Sequence, residues 1–346
     1  MDMHSRELQN ETRSTSVPGL PTKVPIEVPA FVRPIERASE AIKEFDSELV
    51  NSWIQHAEVL IRHREFKTAH TLLRHSLAKE PQSIPAISLL AVCLEKSEEW
   101  EEAVKCRRAL VRLSPTVGNR IDLANLYYSL EDDSQALLSY QEILQSDVIP
   151  ETRSFEIFKN MGNILVRKGD FEAAEDCYNR AFLVDPKSDA LLVNFGTLEI
   201  NRDNLEAATE RFRAALLLND RNDRAWVGLA LAHRSRGDFE LSWANLERAL
   251  DLNPENRTAL KLLVEWSVRD GRVQAASQRL ESYLALDGED AEMAFAFAKC
   301  LTLTGHFSEA LLECERVVAL DPEQEEALRL RRVLAERIVS ESESQA

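Results

Sequence analysis

A small residue returns along this chain at nearly constant spacing. Ala69, Ala103, Ala136, Ala174, Ala208, Ser242, Ala276 and Ala310 stand 34, 33, 38, 34, 34, 34 and 34 residues apart. A period of that length, held over seven intervals, means a stack of like units, none able to bury its apolar face alone. The clearest unit is residues 155–188, FEIFKNMGNILVRKGDFEAAEDCYNRAFLVDPKS. Two helical patterns are joined by Lys168-Gly169-Asp170, and Pro186 closes the unit. Counted from Phe155, Gly162 is position 8, Ala174 position 20, Tyr178 position 24, Ala181 position 27 and Pro186 position 32. Elsewhere Ala57, Ala91, Ala124, Gly196, Ala230 and Ala298 fill position 8, and Gly237, Gly271 and Gly305 fall in the turn at position 15. Small side chains at positions 8 and 20 let paired helices approach closely.

These residues resemble the tetratricopeptide repeat family at nearly every signature position, with Phe158 standing for Trp at position 4 and Leu165 for Tyr at position 11. The resemblance implies an all-α fold: a right-handed α-solenoid of about eight helical hairpins at 50–83, 84–116, 117–150, 155–188, 189–222, 223–256, 257–290 and 291–324. A capping helix is expected at 325–339 and a polar tail at 340–346. The interval of 38 places four extra residues near 147–153, as a longer loop or helix end. The family implies a bacterial-type adaptor or scaffold that binds proteins.

Before the repeats lies TSVPGLPTKVPIEVPAFVRP, residues 15–34. Its five prolines exclude regular helix. Val24, Ile26, Val28, Phe31 and Val32 are nonetheless too apolar for an inert linker. Residues 1–34 therefore read as an extended or disordered segment. It could dock on its own solenoid, serve as a motif for a partner, or do neither. A helix is predicted at 35–49.

The net charge of −17 argues against broad nucleic-acid binding. No apolar run approaches the length of a membrane span, and the N-terminus lacks a signal-peptide core. Five cysteines with no CxxC pairing suggest neither a disulfide framework nor a zinc site, so a reduced cytoplasmic protein is expected. No catalytic motif is present, and no cofactor or metal is expected. His56, His63, His70 and His75 share one hairpin, but spacings of 7, 7 and 5 place no pair on one helical face as zinc ligands.

In the resembled family the first helix of each hairpin lines the concave face and exposes positions 2, 5, 6, 9, 12 and 13. On this chain those positions predict a groove of Asp122, Asn125, Tyr128, Lys159, Asn160, Asn163, Arg167, Asn194, Thr197, Asn201, Arg224, Arg234 and Lys261. Recurrent Asn in helix interiors needs a reason, since Asn is a poor helix former. Either the amides pair with the backbone of an extended peptide, or they bond neighbouring helices. Lys159, Arg167, Arg224, Arg234, Lys261, Arg269 and Lys299 against Glu156, Glu265 and Glu292 leave an inward excess of four positive charges. Such a wall would attract an acidic segment or a terminal carboxylate. Lys159, Asn163, Asn194 and Arg224 match the carboxylate clamp of co-chaperone repeats, while Gly228 departs at its last basic position. The expected function is a non-catalytic scaffold that holds a partner segment in this groove. A switch closed by its own N-terminal segment and a chaperone for secreted or assembling subunits are the alternatives.

Overall fold

The computed structural model describes residues 32–146 and 149–345, and every described element is helical. The chain divides into two compact units, Met1–Leu113 and Ser114–Ala346. The first holds α1 (Val32–Arg62), α2 (Phe66–Lys79), α3 (Ile84–Lys96) and α4 (Trp100–Leu113). In the second, α5 (Val117–Ser129), α6 (Asp133–Ser146), α7 (Glu151–Arg167), α8 (Phe171–Val184), α9 (Asp189–Asn201) and α10 (Leu205–Leu218) come first. They are followed by α11 (Asp223–Arg236), α12 (Phe239–Leu252), α13 (Arg257–Asp270), α14 (Val273–Leu284), α15 (Ala291–Leu303) and α16 (Phe307–Leu320). The last helix, α17 (Glu325–Gln345), packs on α16. Within each unit successive helices pair as hairpins, and each hairpin packs on the next.

The residues that set the sequence period set the packing. Ala69, Ala103, Ala136, Ala174, Ala208, Ser242, Ala276 and Ala310 are all 0% exposed. A turn residue repeats in step with them: Arg64, Glu98, Glu131, Gly169, Asp203, Gly237, Gly271 and Gly305 all have positive φ, between 57° and 84°. The chain reverses between the two helices of a hairpin through one left-handed residue. Four hairpins meet that demand with glycine and four with a residue that bears a β-carbon.

Side-chain caps fix where the first helices of several hairpins begin. Ser188, Asn222, Asn256 and Asp290 accept from the backbone N–H groups of Leu191, Ala225, Ala259 and Met293. Two of these caps also tie hairpins together. Asp189 accepts from both Asn219 (2.6 Å) and Asn222 (2.9 Å), and Asp223 accepts from both Asn253 (2.7 Å) and Asn256 (2.8 Å). One hairpin later the polarity reverses: Arg257 Nε lies 3.1 Å from Asp290. Burial alone would raise the Asp189 pKa, but the two amide donors outweigh it and hold the carboxyl below the usual range.

Two expectations need correction, and one open alternative resolves. The helix expected at 35–49 and the first helix of the first hairpin are one continuous element of 31 residues, starting at Val32. Pro34 is tolerated because it sits in the first turn, where its missing N–H has no intrahelical partner. The tail expected from 340 continues α17 as far as Gln345. The four extra residues between the third and fourth hairpins go largely into α7, which starts at Glu151 and runs 17 residues where its counterparts run 13 or 14. Val24, Ile26, Val28 and Phe31 of the proposed docking segment lie outside the described residues; Val32 opens α1.

Candidate partner-binding groove

The asparagines predicted to face a ligand divide into two groups. Asn125, Asn160 and Asn163 are engaged with neighbouring helices. Asn125 Oδ1 accepts from Tyr140 Oη (2.6 Å) and from Asn160 Nδ2 (3.3 Å), while its Nδ2 donates to Glu156 (3.0 Å). Asn160 is only 6% exposed and donates to Tyr140 Oη as well. Asn163 Nδ2 donates to Tyr128 Oη (2.8 Å), and its Oδ1 accepts from Tyr178 Oη (2.8 Å). Burial raises both the Tyr140 and Tyr178 pKa values, so each hydroxyl stays protonated and donates. These amides are staples across α5, α6, α7 and α8 that give buried tyrosine hydroxyls their partners. Asn194 and Asn201 lie on α9. Asn194 is 8% exposed and makes no side-chain hydrogen bond among the described residues. Asn201 is exposed and donates to Thr197 O one turn back (2.8 Å); the Thr197 hydroxyl bonds Val193 O (3.0 Å).

The positive wall is partly neutralised, by two acids outside the groove positions, Asp133 and Asp270, and by two already counted among them, Glu265 and Glu292. Arg167 pairs with Asp133, the first residue of α6, and stacks on the Tyr128 ring at 5.0 Å. Arg234 meets Asp270 at 2.6 Å and lies against Trp266 and Phe239. Lys261 pairs with Glu292 (2.8 Å) and Arg269 with Glu265 (3.7 Å). Lys159 and Lys299 sit over the Phe155 and Phe295 rings at 5.7 and 4.5 Å. Asp122 faces Arg153 at 3.8 Å. Arg224 is exposed and has neither ion-pair nor ring partner among the described residues.

Arg224 stands on the rim of an open cavity of 360 Å³. Its walls come from α9 (Val193, Ile200) and α11 (Val227, Leu231), and its floor from Phe212 and Gly228. Thr197, Asn201, Asn256 and Thr258 complete the edge. The predicted Thr197, Asn201 and Arg224 belong here; the apolar members were not anticipated. Phe212 explains the glycines. A β-carbon on Gly196 would lie 2.5 Å from its ring and one on Gly228 2.3 Å, so the fully buried ring requires both. The same rule holds one hairpin earlier, where a β-carbon on Gly162 would lie 2.3 Å from Tyr178. Glycine at position 8 of the hairpin that carries an aromatic at position 24, with a second glycine at position 6 of the next hairpin, is the signal that could have located the cavity floor.

Other chemistry is sparse. Burial pushes the Cys177, Cys300 and Cys314 thiols up to about 11 and raises Cys93 and Cys106 too, which disfavours the nucleophilic thiolate. Among the described residues, no three His, Cys, Asp or Glu side chains are grouped to hold a metal ion. His75 packs on Trp53 with ring centroids 6.1 Å apart, and His70 Nε2 accepts from Arg74 (3.4 Å). No helix among the described residues is long and apolar enough to cross a membrane.

Models of the tetratricopeptide repeat family match residues 86–121, 156–188, 193–257 and 267–334. The chain belongs to the tetratricopeptide repeat superfamily. Among curated proteins it is similar to the general transcriptional corepressor ssn6 of Schizosaccharomyces pombe, 23% identical over 150 residues, 43% of this chain and 13% of the relative. It is also similar to the tetratricopeptide repeat protein 21 homolog of Caenorhabditis elegans, 26% identical over 133 residues, 38% of this chain and 10% of the relative. The chain thus spans only about a tenth of the length of either relative. Among solved structures it resembles yeast Tom70, with a TM-score of 0.63 at 16% identity, covering 81% of this chain and 60% of that one. It also resembles PilW, a type IV pilus biogenesis factor, with a TM-score of 0.53 at 14% identity, covering 62% of this chain and 98% of that one. At such identities the structural likeness speaks for the fold. Tetratricopeptide repeat proteins generally act as protein-interaction scaffolds. Of the clamp-like positions in this repeat array, Asn163 is spent on two tyrosines, Lys159 covers a ring, and Asn194 and Arg224 keep unpaired polar ends.

Proposed function

We propose that this chain is a non-catalytic scaffold or adaptor that holds a segment of a partner protein in the groove of its C-terminal unit, over α9, α11 and the start of α13. One observation carries the reading: the 360 Å³ cavity joins an apolar wall to Arg224, an exposed cation without a partner among the described residues. Concave, mostly apolar pockets with a few convergent polar groups are the usual form of a binding site. Partner preference tilts toward a segment carrying negative charge, because Arg224 would gain a charge-assisted hydrogen bond there. Asn125, Asn160 and Asn163 are committed to Tyr128, Tyr140 and Tyr178, which supports a packing role for them and leaves partner contact to the cavity. A reducing, cytoplasmic setting is the companion proposal, supported by five cysteines that are all free.

The test is site-specific photocrosslinking in the full chain. A photoreactive residue replaces exposed Thr197 at the cavity edge or, as a control, Leu217, which is 88% exposed on α10. Adducts to one discrete protein from Thr197 and none from Leu217 are expected. Equal capture from both positions, or capture from Leu217 alone, would place the binding surface elsewhere.

A further inference from the structure

We infer that the groove reads an internal segment of its partner rather than a chain terminus, seating one large apolar side chain between Ile200 and Leu231, over the buried Phe212, and pairing an adjacent acidic residue with Arg224. The inference rests on the groove reading above and specifies its ligand.

The cavity has one floor and one charge. Phe212 is held between the α9 and α11 backbones by Gly196 and Gly228, and no side chain at residue 228 stands above it. Val193, Ile200, Val227 and Leu231 supply apolar walls. A volume of 360 Å³ lies at the small end of ligand pockets, which run from about 300 to 1,000 Å³. It accommodates one large aliphatic or aromatic side chain.

The polar edge is mostly committed to the protein itself. Asn256 Oδ1 caps α13 through Ala259 N (2.9 Å), and its Nδ2 donates to Asp223 (2.8 Å). Asn201 and Thr197 bond α9 carbonyls. Arg224 alone among the charged rim groups has no partner within the described residues. A terminal carboxylate held by a repeat clamp would need a second cation where Gly228 stands, and a side chain there would collide with Phe212. The cavity therefore exchanges a second charge for apolar depth. One cation suffices for a side-chain carboxylate whose neighbour is anchored in the apolar floor.

A random peptide library displayed on a carrier, with no free C-terminus, is selected against the full chain and against Thr197→Trp, Leu217→Trp and Arg224→Glu. Thr197 is exposed, so Trp there fills the cavity mouth from outside the core. Circular dichroism confirms that each variant is folded. The wild type is expected to enrich sequences with a large apolar residue beside Asp or Glu. An amide-capped consensus peptide should lose about tenfold or more in affinity on Thr197→Trp and on Arg224→Glu, the scale of one charge-assisted hydrogen bond. Leu217→Trp, on the exposed face of α10, should bind as the wild type does. Consensus sequences without the apolar–acidic pair, affinity indifferent to both variants, or tighter binding of the same peptide with a free terminal carboxylate would overturn the inference and leave the groove reading standing. Failure of the wild type to enrich any sequence over the bare support would overturn both.

Discussion

The Phe212 sandwich makes an unusual demand on a helix glycine, and the demand can be measured. Alanine is normally preferred over glycine inside a helix by about 1 kcal/mol. At residue 228 the added β-carbon would lie 2.3 Å from a Phe212 ring carbon, against an ordinary carbon–carbon contact of about 3.5–4.0 Å. The ring cannot retreat freely, because the same ring edge also lies against the Gly196 backbone, where the site of a β-carbon is only 2.5 Å away. Overpacking of a closed site costs about 1–3 kcal/mol, and this one belongs at the upper end. Gly228→Ala should therefore destabilise by about 1–2 kcal/mol after the propensity gain is counted. Phe212→Ala should cost about 3–5 kcal/mol by itself. With the ring gone the clash is gone, so Gly228→Ala in that background should stabilise by about 1 kcal/mol. The sign reversal corresponds to a coupling of about 2–3 kcal/mol between two residues in contact. Urea denaturation of the four proteins, followed by far-ultraviolet circular dichroism, gives the cycle from the shifts in midpoint. Equal effects of Gly228→Ala in both backgrounds would refute the packing argument and the floor built on it.

Three further outcomes follow from the packing. Ser242 occupies a position held by alanine in the other seven hairpins, and its buried hydroxyl has no hydrogen-bond partner among the described residues. Ser242→Ala should raise stability by about 1 kcal/mol in the same urea assay. Asn163→Ala orphans the Tyr128 and Tyr178 hydroxyls and should cost about 2–3 kcal/mol; Tyr178→Phe in that background should recover part of the loss. Asp189 has its folded pKa depressed, so its contribution is present above the unfolded value and is lost as pH falls through the folded one. Wild-type stability should fall on acidification below about pH 4, and Asp189→Asn should flatten that part of the profile while leaving the neutral side's slope alone.

What the sequence made legible follows from how local each signal is. The hairpin register rests on positions such as Ala174 and Ala208, whose smallness is forced by helix approach inside one unit, so spacing alone reveals it. The extra residues before Phe155 were visible as an interval of 38, although whether they formed loop or helix depended on Pro150 serving as a cap for α7. The groove was legible only in part. Asn125, Asn160 and Asn163 occupy positions that face a ligand in related repeats, but their tyrosine partners lie 15, 20 or 35 residues away and become neighbours only when a hairpin closes or hairpins stack. The neutralising acids Asp133 and Asp270 sit at helix ends rather than on groove positions, so a count over those positions overstated the positive field. The cavity floor needed two consecutive hairpins at once: Gly196, Phe212 and Gly228 are unremarkable singly and define a floor only together.

The central claim is that the C-terminal unit binds its partner over α9, α11 and the start of α13. Hydrogen–deuterium exchange of the full chain, with and without the crosslinked partner's segment, tests it most directly. Increased protection concentrated in residues 193–201, 224–231 and 256–258 is the expected result. Protection confined to the exposed faces of α10, α12 and α14, or to α1–α4, would contradict it.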